Sequence, residues 1–126
     1  MTDHERTGHT HKVRIGGIVG YITVNPTEDG EGVHEIFVHG FGQLGSVVQG
    51  WTNSFSIMLS LGLQNGLDLE RFAPLLVQMK FEPNGETDNP QIPTCHSIPD
   101  YIAQWLVNRY GTRELQHKVA QVRHAS

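Results

Sequence analysis

Eight histidines (His4, His9, His11, His34, His39, His96, His117 and His124) and a lone cysteine, Cys95, are the side chains of this 126-residue chain most able to hold a metal or move a proton. A metal centre needs three or four such groups converging at about 2.0–2.3 Å, and helices commonly supply them as H-x-x-x-H or H-x-x-E-H pairs. Neither pair occurs. His9-Thr10-His11 could chelate a divalent ion, but the residues around it read as a solvated tail, so no metal site and no cofactor is expected. Cys95 stands beside His96, an arrangement that can lower a thiol pKa. Adjacent residues seldom face each other, and a structural cysteine is the expectation.

Two further groups could bind something. His39-Gly40-Phe41-Gly42-Gln43-Leu44-Gly45-Ser46 precedes a helix, where glycine N–H groups and the helix N-terminus suit an anion. Its spacing matches neither a dinucleotide fingerprint nor a P-loop, so a tight structural turn is the stronger reading. If the fold gathers them, His39, Gly40, Gly42, Gly45 and Ser46 would hold an anion such as a nucleotide phosphate while His96, Ser97 and Asp100 add polar or acid–base groups. The second group is Phe81–His96, FEPNGETDNPQIPTCH, expected to be a long irregular loop in which Glu82, Asn84, Glu86 and Asp88 meet a protein partner. No catalytic residue is nominated, because no nucleophile, base and orienting group share a known spacing.

The elements that must carry these groups follow from periodicity. Residues 1–11 lack apolar content and read as a disordered tail. Lys12–Asn25 reads as a hairpin turning at Gly16-Gly17, and Val33–His39 as a third strand after the polar turn Pro26–Gly32. In Gly42–Gly66, the residues Leu44, Val47, Val48, Trp51, Phe55, Met58, Leu59 and Gly62 recur three or four apart, the stripe of a core helix that should cover one face of the sheet. Asp68 caps a second helix, Leu69–Met79, with a kink or restart expected near Pro74. Ser97 caps a third, in which Ile98, Ile102, Trp105, Leu106 and Arg109 share a side and which Gly111 can end. Residues 112–126 are a tail or a short helix. The fold class is α+β: a three-stranded antiparallel meander on a long core helix, then two or three further helices, in one domain spanning residues 12–111.

With 13 acidic and 9 basic residues the net charge is −4, and no dense Lys/Arg run exists to track a phosphate backbone. Nucleic-acid binding is not expected. Neither a signal peptide nor a membrane span is read, which points to a soluble cytoplasmic protein.

The order KVRIGG, HEIFV, SFSIMLSLGLQNG, LERF, FEPNG and SIPDYIAQWL resembles the C-terminal region of adenosylcobalamin-dependent (class II) ribonucleotide reductases, a small domain named for a Thr-Ser-Cys-Pro-Asp motif, here standing alone. Ser97, Pro99 and Asp100 match that motif, whereas His96 replaces its threonine and Ile98 its cysteine. The resemblance implies that a reductase needs one cysteine for its radical and two for electrons. This chain has one, so it is not expected to be a reductase. A non-catalytic module that binds a reductase or another nucleotide-metabolism protein in trans, as in a compact phage genome and then in the host cytoplasm, is the leading expectation. The alternatives are a small nucleotide- or phosphate-binding domain or enzyme, and a structural homo-oligomer associating through the Trp51/Phe55 stripe or the Trp105 face.

Overall fold

A computed structural model describes residues 8–43 and 45–125. Residues 1–7 of the expected tail and Leu44 of the helix stripe lie outside the described residues. The chain divides into two compact units: the first holds the residues up to Val13 and Ile18–Gly66, the second Arg14–Gly17 and the chain from Leu67 onward. The architecture is α+β, a three-stranded antiparallel sheet followed by four helices.

In the first unit, alternating β-branched residues form β1 (His9–Ile15), β2 (Ile18–Pro26) and β3 (Val33–His39), ordered β1-β2-β3. β2 and β3 are antiparallel, with Val24 opposite Ile36 and Tyr21 opposite His39. Val13, Ile22, Val24, Ile36 and Val38 are buried, the inward set that period-two alternation selects. β1 begins three residues before the expected Lys12, so His9, Thr10 and His11 belong to the strand. Thr10 Oγ1 lies 3.1 Å from Thr23 Oγ1 on β2, a cross-strand pair that a single strand's composition does not announce.

The first helix, α1 (Val47–Gln64), buries Leu59 and half-buries Val48, Trp51, Phe55 and Gly62 of the expected stripe, and it adds hydroxyls to the buried side. Its buried residues are Thr52, Ser56, Leu59 and Ser60, while Val47 is 84% and Met58 67% exposed. Hydroxyls face inward because α1 serves the open edge of β3. Val38 N–H donates to Ser56 Oγ at 2.8 Å, Ile36 N–H donates to Ser60 Oγ at 3.0 Å, and Ser60 Oγ–H donates to Ile36 O at 2.9 Å. Gln64 Nε2 donates to His34 O at 3.1 Å. Four helical residues advance ~6.0 Å and two strand residues ~6.6 Å, so positions 56, 60 and 64 keep step with 38, 36 and 34. Side chains thereby satisfy edge groups that would otherwise stay unpaired.

The second unit comprises α2 (Leu69–Leu76), the short strands β4 (Gly85–Glu86) and β5 (Thr94–Cys95), α3 (Ile98–Tyr110) and α4 (Arg113–Ala125). α2 stops two residues after Pro74 instead of reaching Met79. α3 is its centre: nine of its thirteen residues are buried, Trp105 among them. Trp105 is therefore no exposed face for self-association. Ala73, Val77, Ala103, Val107, Leu115 and Val119 form one cluster joined by Leu69, Leu76 and Val122. That docking completes residues 113–125 as a helix whose apolar spacing alone is weak.

Candidate functional site

The segment expected to be an irregular loop is folded. Gly85 pairs with Cys95 and Glu86 with Thr94, Phe81 N–H donates to His96 O at 2.9 Å, and Thr87 and Asn89 close the tip through Asn89 N–H to Thr87 Oγ1 at 3.0 Å and Gln91 N–H to Asn89 Oδ1 at 3.0 Å. These are the local side-chain-to-backbone bonds by which Thr and Asn stand in for regular ladders. The four nominated partner residues are exposed, yet two of them, Glu86 and Asp88, accept hydrogen bonds from the chain itself. Arg14 N–H donates to Asp88 Oδ1 at 3.0 Å and Gly16 N–H to Glu86 O at 2.9 Å. Gly16 has φ of 56°, and a Cβ there would collide with Asn84 O. Glu82 precedes a cis Pro83.

The glycine turn bends through three left-handed glycines. Gly40, Gly42 and Gly45 have φ of 87°, 96° and 82°, the left-handed region that glycine enters without steric penalty. Ser46 caps α1 by accepting from Gln49 N–H at 3.2 Å. Gly45 N–H donates to Gln49 Oε1 at 3.3 Å and Ser46 N–H to Gln43 O at 3.0 Å. Both amides are thus engaged within the turn. His39 stacks on Tyr21 at 5.5 Å and lies 3.3 Å from Thr23 Oγ1 through Nε2. His39 and the turn belong to the first unit, and His96, Ser97 and Asp100 to the second.

The second trio does converge. Ser97 caps α3, its Oγ accepting from Asp100 N–H at 3.1 Å and donating to Met79 O at 2.8 Å. Asp100, fully buried, accepts from His96 N–H at 2.7 Å and Gln104 Nε2 at 3.2 Å. Arg123 of α4 grips it with two parallel bonds, Nε to Oδ1 at 2.9 Å and Nη2 to Oδ2 at 3.0 Å. A buried carboxylate is tolerable when a bidentate guanidinium and further donors surround it. His96 Nδ1 is enclosed 3.9 Å from Asp100 Oδ2 and, among the described residues, has no hydrogen-bond partner. Cys95 is buried beside this network; desolvation first, and then the Asp100 carboxylate, push its thiol up to about 12. At neutral pH it is a protonated, inert thiol.

Over the network lies a cavity of about 500 Å³ between α3, α4 and β5. Gln91, Gln104, Asn108 and Gln116 reach it with His96 and Arg123, and Val107, Val119 and Ala120 supply apolar surface. Of the residues nominated from sequence, only His96 lines it. Arg123, Gln104, Asn108 and Gln116 carried no local signal: Arg123 is 23 positions from the carboxylate it holds. Among the described residues no three His, Cys, Asp or Glu side chains gather as a metal site, and no helix is long and apolar enough to cross a membrane.

Known proteins resemble this chain over most of its length. The vitamin B12-dependent ribonucleotide reductase of Streptomyces avermitilis is 40% identical over 101 residues, 80% of this chain and 10% of the reductase. That of Agrobacterium fabrum is 34% identical over 116 residues, 90% of this chain and 9% of the reductase. The chain thus spans about a tenth of the length of these relatives. No solved structure matches it. The TSCPD domain matches residues 2–110, and within it Ser97 is the cap, Pro99 sits in the first turn of α3 and Asp100 is the buried anchor, with Ile98 fully buried in the cysteine's place. The chain belongs to the TSCPD domain family.

Proposed function

We propose that this chain is a non-catalytic accessory module that binds in trans to a ribonucleotide reductase, or to another protein of nucleotide metabolism, in the cytoplasm. The observation that carries the reading is its likeness to a tenth of B12-dependent reductases combined with a single cysteine whose thiol is buried and held protonated. Reduction by a dithiol requires two thiols that exchange through a mixed disulfide; one sequestered thiol cannot do this. The Asp100 network likewise spends its donors and acceptors on holding α3 to α4 and β5, a structural use.

The test is co-purification of the tagged chain from the cells that encode it, with the bound protein identified and quantified. A reductase recovered at near-equal stoichiometry supports the module. Recovery of no nucleotide-metabolism protein, or ribonucleotide reduction by the purified chain supplied with dithiol and adenosylcobalamin, refutes it. The exposed side of α1 favours a second reading, self-association of two copies. Val47 and Met58 stand out from it, and α1 carries no charged residue, so two copies meet there without like-charge repulsion. Sedimentation of the purified chain as a monomer at high concentration would remove that reading.

A further inference from the structure

The cavity above the Asp100 network has a lining whose chemistry selects a ligand. We propose that it is a binding site for an uncharged heterocycle of the nucleobase type, and that phosphate groups contribute nothing to its affinity. This goes beyond the accessory reading and does not depend on it.

Charge comes first. Among the described residues no Asp, Glu or Lys lines the cavity, and the guanidinium of Arg123 is already matched by two bonds to the buried Asp100 carboxylate. A phosphate or carboxylate would find no uncompensated cation, and an ammonium no anion. What remains are the carboxamides of Gln91, Gln104, Asn108 and Gln116 with two imidazoles, His96 and His124. A carboxamide presents one acceptor and a two-hydrogen donor side by side, the arrangement that pairs bidentately with the edge of a base.

Two of these carboxamides are already oriented. Gln104 Nε2 donates to Asp100 Oδ1 at 3.2 Å and Gln116 Nε2 to Val107 O at 3.4 Å and Gly111 O at 3.5 Å, so these two present fixed Oε1 acceptors at little further entropic cost, and bidentate pairing falls to Gln91 and Asn108. His96 Nδ1 is enclosed 3.9 Å from Asp100 Oδ2, and the imidazole adds a further polar edge to the lining. Val107, Val119 and Ala120 offer a ring face apolar contact. The volume of about 500 Å³ lies in the range of small-molecule sites.

The experiment is an amide chemical-shift titration of the full, isotope-labelled chain with adenosine, cytidine, their 5′-monophosphates and ribose, each to millimolar concentration. At least one nucleoside should shift amides around Asn108, Gln116 and Gln91, its monophosphate should bind with the same affinity to within about twofold, and ribose should do nothing. Replacing Gln91→Leu and Asn108→Leu together, both exposed positions, should weaken binding about tenfold, the loss of two hydrogen bonds of ordinary strength. The proposal is overturned if neither nucleoside shifts these amides, if binding requires the phosphate, or if the folded double variant binds as well as the parent chain. Should the double variant not fold, the comparison of nucleoside with monophosphate and ribose still decides.

Discussion

Asp100→Asn is the substitution that probes the second unit most directly. The side chain is the same size, so packing around it is unchanged and only hydrogen bonding differs. Asp100 offers two oxygens, and four donors converge on them: His96 N–H, Gln104 Nε2, Arg123 Nε and Arg123 Nη2. Asparagine keeps one oxygen and turns the other into an NH₂, which must then face a donor. If it faces Arg123, a charge-assisted pair becomes a donor–donor contact; if it faces His96 and Arg123 Nη2, the same conflict arises on the other side. Breaking a buried pair by altering one partner costs about 3–5 kcal/mol, and partial exposure of Arg123, 21% for its side chain, sets the expectation near about 3 kcal/mol for this site.

The assay is urea unfolding at pH 7 followed by the fluorescence of Trp105, which is buried in α3, in a Trp51→Phe background. The midpoint should fall with the slope unchanged. Arg123→Met should cost a comparable amount, because it leaves the buried carboxylate with neutral donors alone. Asp100→Asn combined with Arg123→Met should cost less than the sum of these two single changes by about 1–3 kcal/mol, the signature of two groups that act together. An Asp100→Asn loss below about 1 kcal/mol would place the pair in the class of surface ion pairs and refute its anchoring role.

Two other outcomes follow from groups buried in each unit. Ser60→Ala removes both the acceptor for Ile36 N–H and the donor to Ile36 O, so about 1–3 kcal/mol should be lost; Ser54→Ala, whose Oγ bonds only its own helix at Gly50 O, is the control, and equal effects would refute the edge-pairing account. Cys95 has a thiol raised to about 12, so the folded state favours the neutral form. The associated stability is complete below the unfolded value of about 8.5 and is lost as pH rises toward 12. A thiol reagent at pH 8 should label the native chain far more slowly than the urea-unfolded one, and equal rates would show the thiol to be accessible.

Local chemistry was legible in the sequence. The hairpin at Gly16-Gly17, the third strand and the caps Asp68 and Ser97 depend on residues a few positions apart, and the structure has them at those places. So did the resemblance carried by Ser97, Pro99 and Asp100. What could not be read were consequences of distant pairing. The 81–96 segment looked irregular because its order comes from short ladders and Thr/Asn bonds, not from periodic apolar residues. Arg123 looked like one more charge on a weak helix, since nothing near it announces a carboxylate 23 residues away.

The hydroxyls that α1 buries have a physical cause that can be turned into a rule. Apolar periodicity assumes that a helix buries the side chains that dislike water, which holds when it packs on the face of a sheet. At a sheet's edge the neighbour is a row of backbone donors and acceptors, and the side chains that belong there are short hydroxyls and amides. Such a helix should carry Ser, Thr, Gln or Asn at i, i+4 and i+8, because that spacing nearly equals two strand residues per step. Ser56, Ser60 and Gln64 have this pattern and meet Val38, Ile36 and His34. The apolar stripe then shares the inner side with the hydroxyls: Leu59 is buried and Val48, Trp51, Phe55 and Gly62 are half-buried, while Val47 and Met58 face solvent. A buried hydroxyl stripe beside a half-buried apolar one therefore marks an edge-packed helix, and its exposed apolar residues are left available for association.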